Sequence, residues 1–183
     1  MKLTCSSCKV ELTEVCSECP ECGYTYSLLD EYYMDLNPND TFPIIESLND
    51  AAGILNVSDR VLCKDDIREF CRRFPSMFFS VYLDAAKDDE DADSKGLWLY
   101  NKGEFSALPT GSHIQYGVLL YIDANKKEAS LSYGDGLAPY LSGKECFKLL
   151  KGAHTFLYRG KYLLSIQHVL RKLTAHLIRK CPR

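Results

Sequence analysis

Residues 117–138 read GVLLYIDANKKEASLSYGDGLA. The opening run, Gly117 to Ile122, is continuously apolar, the pattern of a strand buried on both faces. Asp123 to Lys126 supply turn residues, and Ala129 to Tyr133 return as a second strand, so a β-hairpin is predicted. Gly134-Asp135-Gly136 then forms a tight turn whose backbone N–H groups can be presented outward. A lone Gly-x-Gly of this kind serves either to end a strand or to hold a phosphate.

Helical signals flank the hairpin on both sides. Ser58 is placed to N-cap a helix that runs to about Phe74, where Pro75 stops it, with Val61, Leu62, Ile67, Phe70, Cys71 and Phe74 as the apolar stripe. A strand is expected from Met77 to Leu83. Ser142 caps a short helix through Lys151, and Lys161 to Lys180 spaces Leu163, Ile166, Leu170, Leu173 and Leu177 by threes and fours, which predicts a helix with one apolar side. Residues 94–105, SKGLWLYNKGEF, fit a strand by their aromatics and a short helix by their spacing.

With 46% hydrophobic and 26% charged residues in 183, the composition is that of a soluble protein with one full domain and a small appendage. The longest apolar run, Val118 to Ile122, is far short of a membrane span, and the N-terminus shows no export signal, so a cytoplasmic location is expected. Residues 34–43, MDLNPNDTFP, have no periodicity and read as linker. The predicted division is a module at residues 1–26, a linker at 27–45 and a larger domain at 46–183.

Five of the nine cysteines fall within residues 5–22, which favours a metal over disulfides. Cys5-Ser-Ser-Cys8 and Cys19-Pro-Glu-Cys22-Gly23 are two CxxC pairs, and two such turns facing each other complete a tetrahedral tetrathiolate, with zinc as the expected ion and iron compatible with the same ligands. Cys16-Ser-Glu-Cys19 is a competing second pair, set aside because Pro20 and Gly23 suit the tight turn around Cys22. Four thiolates leave no open position, so this metal is structural. Residues 1–30 carry two basic side chains against five acidic ones, a poor match to phosphate, and protein contact is the expected role.

Cys63, Cys71, Cys146 and Cys181 have no adjacent His and Asp and are expected to be core or inert thiols. His113, His154, His168 and His176 show no paired metal spacing, and the last two, on the basic C-terminal helix, are expected to be solvated. Net charge is only −3, but it is unevenly spread: residues 84–93 (DAAKDDEDAD) hold six acids and one lysine, whereas residues 144–183 hold ten Lys and Arg against Glu145 alone.

The hairpin and its Gly turn resemble, without gaps, the signature of the TPM domain family, and Asn49-Asp50-Ala51-Ala52-Gly53-Ile54-Leu55 is similar to that family's opening D-x-A-G-L-L motif. The resemblance spans about residues 45–178. It implies an α/β/α sandwich around a small mixed sheet, a helix at residues 94–102, and a phosphatase-like, divalent-metal-binding ancestry. Where the family often has Asp-Asn before the Gly-Val-Leu strand, this chain has Gln115-Tyr116; where it has Tyr and Glu in the Gly turn, Asp135 and Ala138 stand. Loss of those acids weakens any site for a hard cation such as calcium or magnesium, which needs several oxygen ligands. Asp50 and Asp135 are left as its candidate residues, with Asp50 equally suited to capping its own turn.

The expected function is therefore that of a zinc-binding protein whose TPM-like domain binds a partner without efficient catalysis. The alternative is a metal-assisted phosphomonoesterase built on Asp50 and Asp135. A protein partner is favoured over nucleic acid or an anionic membrane, either of which would engage the basic helix through Arg171, Lys172, Arg179 and Lys180.

Overall fold

A computed structural model describes residues 20–22, 43–85, 91–106 and 113–180, with the backbone of residues 3–4 and 11–12. The chain divides into two compact units, Met1–Phe42 and Pro43–Arg183. In the first, β1 (Leu3–Thr4) pairs antiparallel with β2 (Glu11–Leu12).

The larger unit begins earlier than composition suggested. β3 (Ile44–Ile45) pairs in parallel with β6 (Glu104–Phe105), and Ile45 is 1% exposed, so two residues assigned to the linker belong to a folded layer. The main sheet has the order β4 (Leu48–Asp50), β5 (Phe78–Asp84), β7 (Gly117–Asp123), β8 (Glu128–Tyr133). Its first three strands are parallel and β8 is antiparallel to β7. Parallel neighbours need crossovers: α1 (Val57–Arg73) joins β4 to β5, and α2 (Ala92–Lys102) lies between β5 and β7. The β7–β8 pair is the predicted hairpin, and its turn carries Lys127 at φ 59.

Alternation along the strands assigns each face its cover. Val81, Leu83, Val118, Leu120, Ile122 and Leu131 point into the core shared with α1, α3 (Gly143–Tyr158) and α4 (Tyr162–Lys180). The opposite face, with Ser80, Tyr82, Leu119, Tyr121, Ser130 and Ser132, receives α2 over β7 and β8. This is an α/β/α sandwich around a mixed sheet, and the ambiguous stretch at 94–105 is helix through Lys102 and strand after it.

Several local expectations shift. Asn56, not Ser58, caps α1: its Oδ1 accepts the Asp59 N–H at 2.8 Å. Val61 and Leu62 are exposed, and the buried stripe is Cys63, Ile67 and Phe70, spaced by four and three. Ser142 caps α3 as expected, in a capping box with Glu145, but the helix continues through Gly152 to Tyr158. Gly152 does not end the helix because its bare Cα is where the His168 ring packs; a Cβ there would overlap Nε2. In α4, Ile166, Leu170, Leu173 and Leu177 are buried while Arg171, Lys172, Arg179 and Lys180 stay exposed.

Candidate functional site

In an open parallel sheet the carboxyl ends of the strands are the usual ligand edge, and here each of the three parallel strands ends in an aspartate: Asp50, Asp84 and Asp123. Parity separates them. Asp50 shares the face of Leu48, toward α1, whereas Asp84 and Asp123 lie opposite one another on the α2 face.

Asp50 is fully engaged by its own loop. Oδ1 accepts the Ile54 N–H and Oδ2 the Leu55 N–H, both at 3.0 Å, and Arg60 Nη2 stands 2.9 Å from Oδ2. Its side chain is only 4% exposed. The loop it closes turns at Gly53, whose φ of 64 is in the left-handed region, and Ala52 N–H donates to Leu83 O to fasten it to β5. Asp123, 1% exposed, accepts the Asn125 and Lys126 N–H groups on Oδ1 at 2.8 and 3.2 Å and so shapes the hairpin turn. Asp84 Oδ1 accepts the Ala85 N–H at 2.8 Å.

Asp135, the second expected cation ligand, is exposed and begins a short 3-10 turn after β8. Because β8 runs antiparallel, its exit lies beside Gly117 at the amino end of β7, where Gly134 N–H donates to Gly117 O. Asp50 is at the other end of a seven-residue ladder, about 20 Å away, so the structure does not bring the two together. The glycines around Asp135 have a packing reason: a Cβ at Gly134 would overlap the Gln115 carbonyl, and one at Gly136 the Tyr116 ring. The turn is therefore a strand ending fitted against residues 114–116.

Of the tetrathiolate, Cys5, Cys8 and Cys19 lie outside the described residues, as does Cys16, and Cys22 is exposed in the turn at 20–22. Among the described residues no three His, Cys, Asp or Glu side chains gather as a metal group. Burial pushes the thiols of Cys63 and Cys146 up to about 12, and raises that of Cys71, which leaves them protonated and inert.

Among the described residues, concavities lie along the helices, one of about 300 Å³ between α1 and α4 and two larger ones. One, about 490 Å³, sits beside β8 and is lined by Leu120, Ala129, Phe147, Leu150, His154 and Leu157. The other is a groove of about 920 Å³ between α3 and α4, with Lys148, Lys172, Arg179 and Lys180 on its walls, and Glu145, His168 and His176 among its lining residues. His176 is not solvated as expected: it is 8% exposed, its Nε2 donates to Tyr140 O at 2.8 Å and stands 3.4 Å from Glu145 Oε1. Glu145 is held below the usual carboxylate range, first by the Ser142 hydroxyl and then by His176 and Lys180. Burial, with Arg171 and Lys172 nearby, lowers the His168 pKa. The basic residues of α4 were legible from sequence; that Lys148 of α3 joins them was not, since the pairing of the two helices carries no local signal.

The solved structures supply fold relatives. The N-terminal domain of a protein from P. gingivalis superposes with a TM-score of 0.59 at 14% identity, covering 80% of this chain and 87% of that one. BA42 from the psychrophilic bacterium Bizionia argentinensis follows at 0.55 and 15%, covering 70% and 84%. The N-terminal domain of the cg2496 protein from Corynebacterium glutamicum gives 0.54 at 11%, covering 71% and 78%. At such identities the likeness is one of fold. No family model and no curated protein matches the chain.

Proposed function

We propose that the larger unit is a TPM-like partner-binding module without efficient hydrolysis, carried by a chain whose residues 1–26 form a zinc-stabilised module. The observation that carries the first part is the use made of Asp50: both carboxylate oxygens are spent on the backbone of residues 54 and 55 and on Arg60. A carboxylate so satisfied folds a loop and is a poor ligand for a hard cation, which needs several available oxygens.

Assayed on p-nitrophenyl phosphate with magnesium, manganese or calcium, the full chain should release no more product than buffer with the same metal. With Asp50 and Asp135 apart, the second reading, a divalent-cation phosphomonoesterase, would need Asp84, which β5 and β7 set directly opposite Asp123, itself 1% exposed and engaged by two backbone N–H groups. Robust metal-dependent turnover that disappears in a folded Asp84→Asn variant would establish that reading and end the first.

For the metal, the donor set of Cys5, Cys8, Cys19 and Cys22 is the tetrahedral thiolate set that zinc favours. Support comes from the backbone: β1 ends at Thr4 and pairs with β2, which starts at Glu11, and Cys22 stands in the turn at 20–22. Reduced thiols are also what places the protein in the cytoplasm under this proposal. Independently, no helix among the described residues is long and apolar enough to cross a membrane.

A further inference from the structure

The groove between α3 and α4 is a built concavity with one sign of charge. Lys148 projects from one wall and Lys172, Arg179 and Lys180 from the other, against Glu145 alone. Glu145 is already committed to the Ser142 N–H and hydroxyl, both 2.9 Å from Oε2, and to Lys180 Nζ, 3.7 Å from Oε1. Lys148, Lys172 and Arg179 pair with no carboxylate among the described residues. Between the cations the lining is Leu149, Gly152 and Ala175, and the groove has its depth because Gly152 lets His168 sink toward α3.

We propose that this groove docks an acidic, extended segment of a partner protein. The proposal rests on the partner-binding reading above and gives that partner its chemistry. Charge complementarity selects an anion, and the shape of the lining selects among anions. Nucleic-acid tracks interleave cations with aromatic rings on which bases stack, and the groove contains no aromatic side chain beyond the edges of two histidines, one of them buried. An anionic bilayer binds convex faces that drive apolar side chains inward, whereas here the cations sit on the walls of a concavity. A peptide with carboxylates fits both the walls and the small apolar floor.

Spacing narrows the motif. Lys172 and Arg179 are two turns apart on α4, about 10 Å along its axis. In an extended chain only every second side chain faces one wall, at about 7 Å intervals, so acids two or four residues apart, Asp/Glu-x-Asp/Glu or Asp/Glu-x-x-x-Asp/Glu, bracket that distance within the reach of the long Lys and Arg side chains. Lys148, across the groove, takes a third acid from the other side of the same strand.

The test uses the full chain and a fluorescein-labelled glutamate octapeptide, with a lysine octapeptide, a single-stranded thymidine octanucleotide and phosphatidylserine vesicles as comparison probes. The wild type should bind the acidic peptide, more weakly as salt is raised. Lys172→Glu with Arg179→Glu should weaken binding at least about tenfold while thermal unfolding stays as in the wild type. Lys64→Glu with Arg73→Glu, the same charge change on α1, should leave it within about twofold. No saturable binding of the acidic peptide by the wild type, or equal weakening by the two double variants, overturns the proposal. So does tighter binding of the oligonucleotide or of the vesicles. These outcomes are independent of the phosphatase assay: turnover would remove the reading of the module while the peptide result stood, and failure of the peptide would remove the groove while an inactive module stood.

Discussion

Asp50 and Gly134 show how single residues that look like ligand chemistry in the sequence are consumed by folding. Asp50, its side chain 4% exposed, exchanges water for two backbone N–H donors and one guanidinium, each contact charge-assisted. Asp50→Ala leaves those donors without their acceptor in a part-buried loop, and it should cost about 3 kcal/mol in urea unfolding. An unaltered midpoint would mean that the loop is held by something else. At Gly134 the obstacle is backbone: an added Cβ meets the carbonyls of Gln115 and Ile114, which cannot rotate away as a side chain would. Gly134→Ala should therefore destabilise by about 2 kcal/mol, although its φ of −78 is open to any residue. A neutral effect would show that the 3-10 turn at 114–116 yields easily.

Among the helices and strands, α3 offers a pH-dependent reading. The Glu145 pKa is lowered by the Ser142 hydroxyl first, so the unfolded chain binds its proton more readily than the folded one. Stability from this capping box is complete above the ordinary glutamate range, near 4.3, and declines as pH falls through the lower, folded value. Glu145→Ala should cost about 1 kcal/mol at neutral pH, and the gap to wild type should close on acidification below about pH 4. A gap that persists at pH 2 would assign the loss to packing. The strands β5, β7 and β8 and the two C-terminal helices were legible because their period or continuous apolarity is strong. The α1 stripe was misread because Val61 and Leu62 are apolar but lie a position away from the buried face set by Cys63, Ile67 and Phe70. The extension of α3 was hidden by Gly152, a residue whose reason lies on another helix. Sequence motifs carry no direction, so nothing in them separates Asp50 from Asp135, and the antiparallel run of β8 puts the two at opposite ends of the sheet.

At the scale of the whole molecule the chain divides into two compact units, Met1–Phe42 and Pro43–Arg183, and the cysteine module has few apolar side chains of its own. Purified chain should carry about one zinc, and Cys8→Ser should lose it while the larger unit keeps its unfolding transition. Full zinc content in that variant would remove Cys8 from the ligand set. The order of elements in the larger unit also matters while the chain is being made. The face of β5, β7 and β8 that carries Val81, Leu83, Val118, Leu120 and Ile122 shares its core with α1, α3 and α4, and the last two follow it in the sequence, α4 bringing Ile166, Val169, Leu170, Leu173 and Leu177. Ribosomes add about 5–20 residues per second, so roughly 3–11 seconds separate synthesis of Ile122 from that of Leu177. For that interval this side of a nascent sheet has only α1 as its full cover, and it is then that a holding chaperone has the most surface to grasp.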